Sequence, residues 1–465
     1  MKNYKGKRVV IMGLGNYKNG SGIEAALFFA REGARVLVTD LKPAGELAPQ
    51  LKRLLGFKNV SYVLGKHRVG DFGAADLVFQ NPAVPGNSPY LEMARRKKIP
   101  IINDWSVFLE KFQGVLIGVT GTRGKSTTAT LIYEIIKAGH KRVLLAGNIG
   151  VSPLKYLGRA NKGTVVVAEL SSWLLRGFGS AEASPRIAVL TNLYPDHLDK
   201  YEALEDYYRD KENIFRFQHP TDFLIANFDN REVRARVKRA VGRKIWFSKE
   251  EIKRGDGIYP LGKDIVFRRG KEIIRVAKLS DIRLAGRHNL ENVLAATAAA
   301  LVFGIQPKAV GQALRQFKGL ADRLEFLGKA KGVEFYNDTT ATSPEGTIAA
   351  LESLARKKGK IILLGGGSDK KLDFKKYVEA VNGSAKALIL FQGEASKKIS
   401  RLLGAGSKLR PKEAGSMAEA LELALGAVRR GDVILLSPGA ASFGLFKNEF
   451  DRGNQFKKLV KKWAK

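Results

Sequence analysis

Runs of consecutive apolar residues, each closed by a glycine or a polar turn, recur along this chain and restrict its fold more than any other feature. Val9-Val10-Ile11-Met12 runs into Gly13-Leu14-Gly15, and Val115-Leu116-Ile117 runs into "GVTGTRGKST" at 118–127. "VVVAEL" carries Glu169, "RIAVLTNL" follows it, and "KIILLGG", "KALILFQG" and "DVILLSPG" come later. A strand with one wet face alternates apolar and polar residues; one that is apolar throughout is covered on both faces, as in a parallel sheet flanked by helices. Helical stretches lie between the runs, among them "GIEAALFFAREGA" and "GRHNLENVLAATAAALVFG", in which Ala and Leu recur at helical spacing. The alternation predicts an α/β protein. At 465 residues the chain is too long for one ordinary core, and the series divides into three tandem domains. A Rossmann-like N-terminal domain is expected over 1–111, a central P-loop ATPase-like parallel sheet over 112–318, and a Rossmann-like C-terminal domain over 319–465. The basic stretch around 230–280 reads as strands and loops appended to the central domain.

Two of the glycine turns invite a nucleotide. In the first, Gly13 and Gly15 fit the dinucleotide fingerprint, but Lys18 stands where its third glycine belongs. A generic nucleotide-binding domain is therefore expected, with "RVLVTD" as its second strand, ending at Asp40. In the second, Gly121-Thr122-Arg123-Gly124 joins a strand to a helix starting near Lys125, so that backbone N–H groups and a helix N-terminus face phosphates. Lys125 is placed to reach the outer phosphates and the Ser126 hydroxyl, followed by Thr127, to ligate Mg²⁺. The strict pattern has glycine at 119, where Val119 stands. ATP is the expected ligand.

In a parallel α/β sheet the strand C-termini converge on the ligand crevice. Glu169, and His197 in "NLYPDHLDKY", thereby become candidate metal ligands. Mg²⁺ prefers oxygen, so the imidazole suits a second ion site better than the first. Lys211, in "YYRDKENIF", reads by itself as an exposed helix lysine.

Taken together, "GVTGTRGKST", "ELSSW", "NLYPDHLDKY", "GRHNLENVLAA", "NDTTATSPEGTIAAL" and "LLSPGAASFGLFKNEFDRGNQF" resemble, in order, the motifs of the Mur ligases. The resemblance covers all three expected domains. It implies an ATP-dependent amide synthesis in peptidoglycan precursor assembly, in which D-glutamate joins UDP-N-acetylmuramoyl-L-alanine through an acyl phosphate. It also implies that Gly121, Thr122, Gly124, Lys125, Ser126 and Thr127 bind ATP phosphates, and that Ser126, Glu169, His197 and a carbamylated Lys211 hold Mg²⁺ at two sites. Asn289 and Asn292 then lie on the adenine side, with Arg323 at phosphate and Asp338 at ribose. On the substrate side, Gly15, Thr39 and Asp40 match the uridine region and Asn148 the muramoyl-peptide region. Thr342, Ser442 and Phe443 fall at the amino-acid pocket. The family often has a lysine where Thr340 stands, and an aromatic where Glu449 stands; Lys370 or Lys371 is expected to supply the missing cation.

Composition bounds the alternatives. The chain is 45% hydrophobic and 27% charged, as in soluble globular proteins, and no apolar stretch approaches the roughly 20 residues of a membrane span. "MKNYKGKRVVIMGLG" reads as a strand of the mature protein rather than a signal peptide. The absence of Cys excludes disulfides and thiolate metal sites. A cytoplasmic monomer is expected. The net charge of +35 is scattered through "ARRKKIP", "REVRARVKRAVGRK", "ARKKGK" and "FKKLVKKWAK", a pattern expected of a solvated surface rather than of a nucleic-acid partner. The competing readings are a related ligase for another amino acid and a basic P-loop ATPase acting on nucleic acid. The latter leaves the first domain and "SPGAASFGLFKN" without a role.

Overall fold

The computed structural model describes residues 3–148, 151–196, 201, 203–284, 288–369, 372–404 and 406–464. The fold is α/β with three sheets, and the chain forms two compact units, Met1–Ile282 with Leu290–Arg315, and Arg283–Asn289 with Gln316–Lys465.

The first unit holds two sheets. The N-terminal one runs in the order Val60–Leu64, Arg35–Asp40, Arg8–Met12, Leu77–Gln80, Ile101–Ile102, parallel throughout. Its strand order reverses beside Arg8–Met12, the position at which open parallel sheets leave a crevice. The third glycine of the fingerprint is present after all, displaced to Gly22 in the helix Ser21–Arg31. A Cβ on Gly22 would lie 2.1 Å from the Gly13 carbonyl oxygen, so this glycine lets the helix close onto the first turn. Residues 16–20 lengthen the loop, which is why a fixed spacing placed Lys18 there. Gly22→Ala is accordingly expected to lower stability by about 2 kcal/mol or more, because backbone must move to admit the methyl. A urea midpoint equal to that of the parent chain would contradict this close approach.

The second sheet of this unit runs Glu272–Lys278, Asp264–Arg269, Gly257–Leu261, Arg243–Phe247, Phe223–Asn227, Ile187–Leu190, Val115–Thr120, Val165–Glu169, Val143–Gly147. It is parallel from Gly257–Leu261 onward and antiparallel in the last hairpins. The basic 230–280 stretch opens with the short helix Arg231–Arg236, and its strands then extend the edge of the central sheet. The apolar runs are buried on both faces: Ile187–Leu190 and Val165–Glu169 are buried at every position. Trp105, fully buried, meets Phe108 and Phe178 at 5.5 and 5.3 Å in the core that the unit's sheets share.

The second unit holds a sheet in the order Glu325–Ala330, Val333–Asn337, Val433–Leu436, Ile361–Gly366, Ala385–Phe391, Lys412–Ala414. Only the Glu325–Ala330 edge is antiparallel. Ile361–Leu364 and Val433–Leu436 are fully buried, at about 1.5–3 kcal/mol of hydrophobic stabilisation per large side chain. This rigid centre fixes the loops that leave its strand C-termini.

Candidate active site

The strand Val115–Thr120 delivers the chain into a loop that glycine alone can form. Gly121 has φ +147°, and a Cβ there would sit 1.9 Å from Thr191 Oγ1; Gly124 has φ +81°, and a Cβ would sit 2.2 Å from Asn292 Oδ1. The loop is stitched to the neighbouring strand's exit: Thr122 N–H donates to Asn192 O (2.9 Å) and Arg123 N–H to Asn192 Oδ1 (2.8 Å). Gly124 caps the helix Lys125–Gly139 without a side-chain bond, so the helix N-terminus, with its partial positive charge, is not capped by the protein's own side chain. Lys125, Ser126 and Thr127 occupy its half-buried first turn, and Lys125 Nζ donates to the carbonyls of Gly121 (3.0 Å) and Thr122 (2.9 Å).

Lys211 is not the surface lysine that its flanking charges suggest. It is 2% exposed, and its Nζ donates to the same Gly121 carbonyl at 2.8 Å, over the Tyr207 ring at 4.7 Å. Burial, then the Lys125 charge, pull its pKa well below the ordinary lysine value, against the pull of Asp196 and Asp210. A sequence signal for this exists: Tyr207, Lys211 and Ile214 recur at helical spacing, and all are buried.

Glu169 ends its strand in register with Val119 and Gly147, so it stands beside the phosphate loop. It is 2% exposed; Oε1 accepts from Asn148 Nδ2 at 3.2 Å, whereas Oε2 is buried with no hydrogen-bond partner. An orphaned buried carboxylate oxygen is costly unless a cation or donor completes it, and an oxygen ligand of this kind suits Mg²⁺. His197 lies outside the described residues, among which no group of three His, Asp or Glu side chains converges. Asn292 lies on the helix His288–Phe303 and accepts from Thr128 Oγ1 at 3.3 Å; Asn289 precedes it on that helix.

A cavity of about 950 Å³ opens at the switch point of the N-terminal sheet. Gly13, Gly15, Asp40, His67, Asn81 and Tyr90 line one end, and Asn148, Ser152 and Trp173 the other. Asp40 accepts from the backbone N–H of Leu14 (2.8 Å), Gly15 (3.4 Å) and Lys42 (3.0 Å), locking the glycine turn. Thr39 is fully buried behind the wall, with its Oγ1 2.7 Å from His67 Nδ1. Sequence reasoning missed Asp104, a lining residue that is 1% exposed and takes the hydroxyls of Ser21 (2.6 Å) and Ser152 (2.9 Å) on Oδ2. Burial raises its pKa. In the sequence it merges with the capping box of Asn103 and Ser106, which hid it.

In the second unit, three strand exits meet. Gly439 N–H donates to Ala341 O (2.8 Å), Gly366 N–H to Pro438 O (2.8 Å), and Ser368 and Ala441 exchange backbone bonds of 3.0 and 3.2 Å. Thr342, the buried Ser442 and the exposed Phe443 are carried on these loops; Lys370 and Lys371 lie outside the described residues. Thr340 donates its hydroxyl to Asp322 O (2.8 Å), so it does not replace the absent lysine. Asp338 is 8% exposed and already accepts from Leu324 N–H (3.0 Å) and Ser437 Oγ (2.7 Å); burial pushes its pKa up to about 6. Arg323 lies near enough to lower that value in part. Arg452, also missed, is fully buried and donates to Thr339 O (2.9 Å), Thr339 Oγ1 (3.1 Å) and Ala440 O (3.4 Å), tying two of the loops together.

Known proteins resemble this chain along its length. It matches, in order, the Mur ligase MurD-like N-terminal domain over residues 7–103, the Mur ligase middle domain over 119–300 and the Mur ligase, glutamate ligase domain over 322–439. It is 38% identical to the UDP-N-acetylmuramoylalanine–D-glutamate ligase of Roseiflexus sp. (strain RS-1), with 99% of each chain covered. The enzyme of the same name from Koribacter versatilis is 36% identical, over 99% of this chain and 98% of that one. Among solved structures, the MurF ligase of Thermotoga maritima in complex with ADP aligns with a TM-score of 0.59 over 100% of both chains at 19% identity. The UDP-N-acetylmuramate-alanine ligase of that organism gives 0.59 over 98% of this chain and 100% of that chain, also at 19% identity. At such identity these two speak for the fold.

Proposed function

Because this chain belongs to the Mur ligase family, we propose that it forms the amide bond between D-glutamate and UDP-N-acetylmuramoyl-L-alanine at the expense of ATP, in cytoplasmic peptidoglycan precursor synthesis. One observation carries the reading: Asn148 lines the 950 Å³ cavity and donates to Glu169 at 3.2 Å, so the far end of the cavity abuts the phosphate loop. A substrate anchored by its nucleotide near Gly15 and Asp40 then presents its carboxylate to the γ-phosphate. Among the described residues no helix is long and apolar enough to cross a membrane.

The reaction needs no protein nucleophile. The substrate carboxylate takes the γ-phosphoryl group, the bond to the β-phosphate oxygen breaks, and ADP leaves. The amine of D-glutamate attacks the acyl carbon, loses a proton, and phosphate departs. An oxide is a poor leaving group and phosphate a good one, so the protein supplies position and charge. The backbone of Gly121, Thr122 and Gly124, the hydroxyls of Ser126 and Thr127, and the Lys125 ammonium neutralise the transferring group. Ser126, Glu169, His197 and a carbamylated Lys211 would hold Mg²⁺ at two sites, where the ion would supply further charge neutralisation. Asn289 and Asn292 hold adenine, Arg323 phosphate and Asp338 ribose. Lys211 is suited to carbamylation because only a neutral amine adds CO₂, forming the N–C bond and releasing one proton, and burial favours the neutral form.

The amino acid is assigned to donors of the C-terminal loops, namely Ser442, Thr342, the Phe443 segment, and Lys370 or Lys371. Phosphate release that depends on UDP-N-acetylmuramoyl-L-alanine, measured with each amino acid in turn, tests the proposal. D-glutamate should be preferred, and glutamine rejected, because its amide brings donors to a site built of donors. Lys370→Ala or Lys371→Ala should raise the KM for D-glutamate by about tenfold, the loss of one charge-assisted bond, and leave the KM for ATP nearly unchanged. A faster reaction with lysine or diaminopimelate would remove D-glutamate from the proposal. Failure of every amino acid to stimulate phosphate release would remove the ligase itself.

A further inference from the structure

Two polar groups at the nucleotide end of the cavity, Asp40 and Asn81, are engaged by the chain itself. Asp40 is taken by three backbone N–H groups, and Asn81 donates to Gly13 O (3.0 Å) while accepting from Ala83 N–H (3.0 Å). His67 differs. Thr39 Oγ1 lies 2.7 Å from its Nδ1 and also donates to the Lys66 carbonyl at 3.2 Å. A hydroxyl has one proton and the carbonyl can only accept, so both contacts are satisfied when Thr39 takes the Nδ1–H of the ring. The neutral ring is then the Nδ1–H tautomer, and Nε2 carries the lone pair. Burial holds the His67 pKa below the ordinary histidine value although Asp40 opposes it, so the ring is neutral at pH 7. Its plane is set by edge-on contacts with Phe72 (6.0 Å, 90°) and Tyr90 (4.9 Å, 70°), and both His67 and Tyr90 line the cavity. The fold thus holds a hydrogen-bond acceptor of fixed protonation in the wall beside Asp40.

We infer that His67 makes this cavity selective for uracil, its Nε2 accepting the N3–H of the base. Cytosine has a lone pair at N3, and two acceptors facing each other leave both unsatisfied. The inference rests on the UDP-linked substrate proposed above, and adds the residue that distinguishes it from a cytidine analogue.

Binding of UDP and of CDP to the full chain, by calorimetry, tests it. The parent chain should prefer UDP by about tenfold or more, the cost of one buried acceptor left unpaired. His67→Phe, which keeps a ring against Tyr90 but lacks the acceptor, should bring the ratio close to one by weakening UDP and sparing CDP. His67→Gln, whose amide oxygen reaches the Nε2 position, should restore part of the preference, so a fold defect in the first variant does not hide the result. In turnover, His67→Phe should raise the KM for the UDP substrate with kcat unchanged. A parent chain that binds UDP and CDP equally, or a His67→Phe chain that keeps the parent ratio, overturns the inference and leaves the ligase reading intact. A parent chain that binds neither nucleotide overturns both.

Discussion

Lys125→Ala should retain the fold and lose at least about a thousandfold in kcat, the usual scale for removing a cation that stabilises phosphoryl transfer. The resting geometry explains both halves of this result. Lys125 Nζ donates to carbonyls of its own loop, Gly121 and Thr122 at 3.0 and 2.9 Å, and it sits half-buried at a helix start. The loop keeps its shape through Thr122, Arg123 and the glycines, whose partners at Asn192 do not involve the lysine. The melting temperature should therefore fall by no more than a few degrees. ATP analogue binding should weaken far less than turnover, because the ammonium follows charge that develops on the transferring phosphoryl group. Retention of more than about a tenth of kcat would contradict this role for Lys125, given that such clamps are typically worth several kcal/mol.

Lys211→Ala should be inactive for a different reason, and the loss should be partly reversible. If the parent side chain works as a carbamate, the variant lacks a carboxylate where the metal is held. A short carboxylic acid such as acetate should restore some activity, whereas bicarbonate alone should not, since alanine has no amine to modify. Stability supplies an independent readout. Burial lowers the pKa of the unmodified lysine in the fold, so between that depressed value and about 10.4 the unfolded chain binds more protons and stability rises with pH. Lys211→Met removes that slope and should be no less stable than the parent at pH 7, while still lacking activity. A bound Mg²⁺–ATP complex showing an unmodified Lys211 ammonium would sink the carbamate assignment, as would a carbon-13 spectrum without a carbamate signal after labelling with bicarbonate.

Parts of the fold and site were legible because their signals are local. Gly121 and Gly124 adopt φ values that other residues rarely take, and the apolar runs around them are buried as the two-sided pattern requires. Glu169 was placed correctly at a strand end by the same argument. The 230–280 stretch was legible as strands and loops added to the central domain, and its strands extend the central sheet's edge through pairings between neighbouring segments of the chain. Gly22 escaped a fixed-spacing fingerprint because the turn between it and Gly15 is longer than the motif allows.

By itself, then, the sequence determined the α/β class, the order of motifs, and the glycine turn that meets a helix at Lys125, since backbone conformation follows from short-range sterics and periodicity. Tertiary structure alone decided which side chains lose water and what they bond. Lys211 is stripped of solvent by a carbonyl 90 residues away in the sequence, at Gly121. His67 receives its tautomer from Thr39, 28 residues earlier, and Arg452 holds loops that begin 113 and 12 residues before it. Protonation, tautomer and burial depend on the dielectric and partners that packing assembles from distant segments, and no local pattern encodes them.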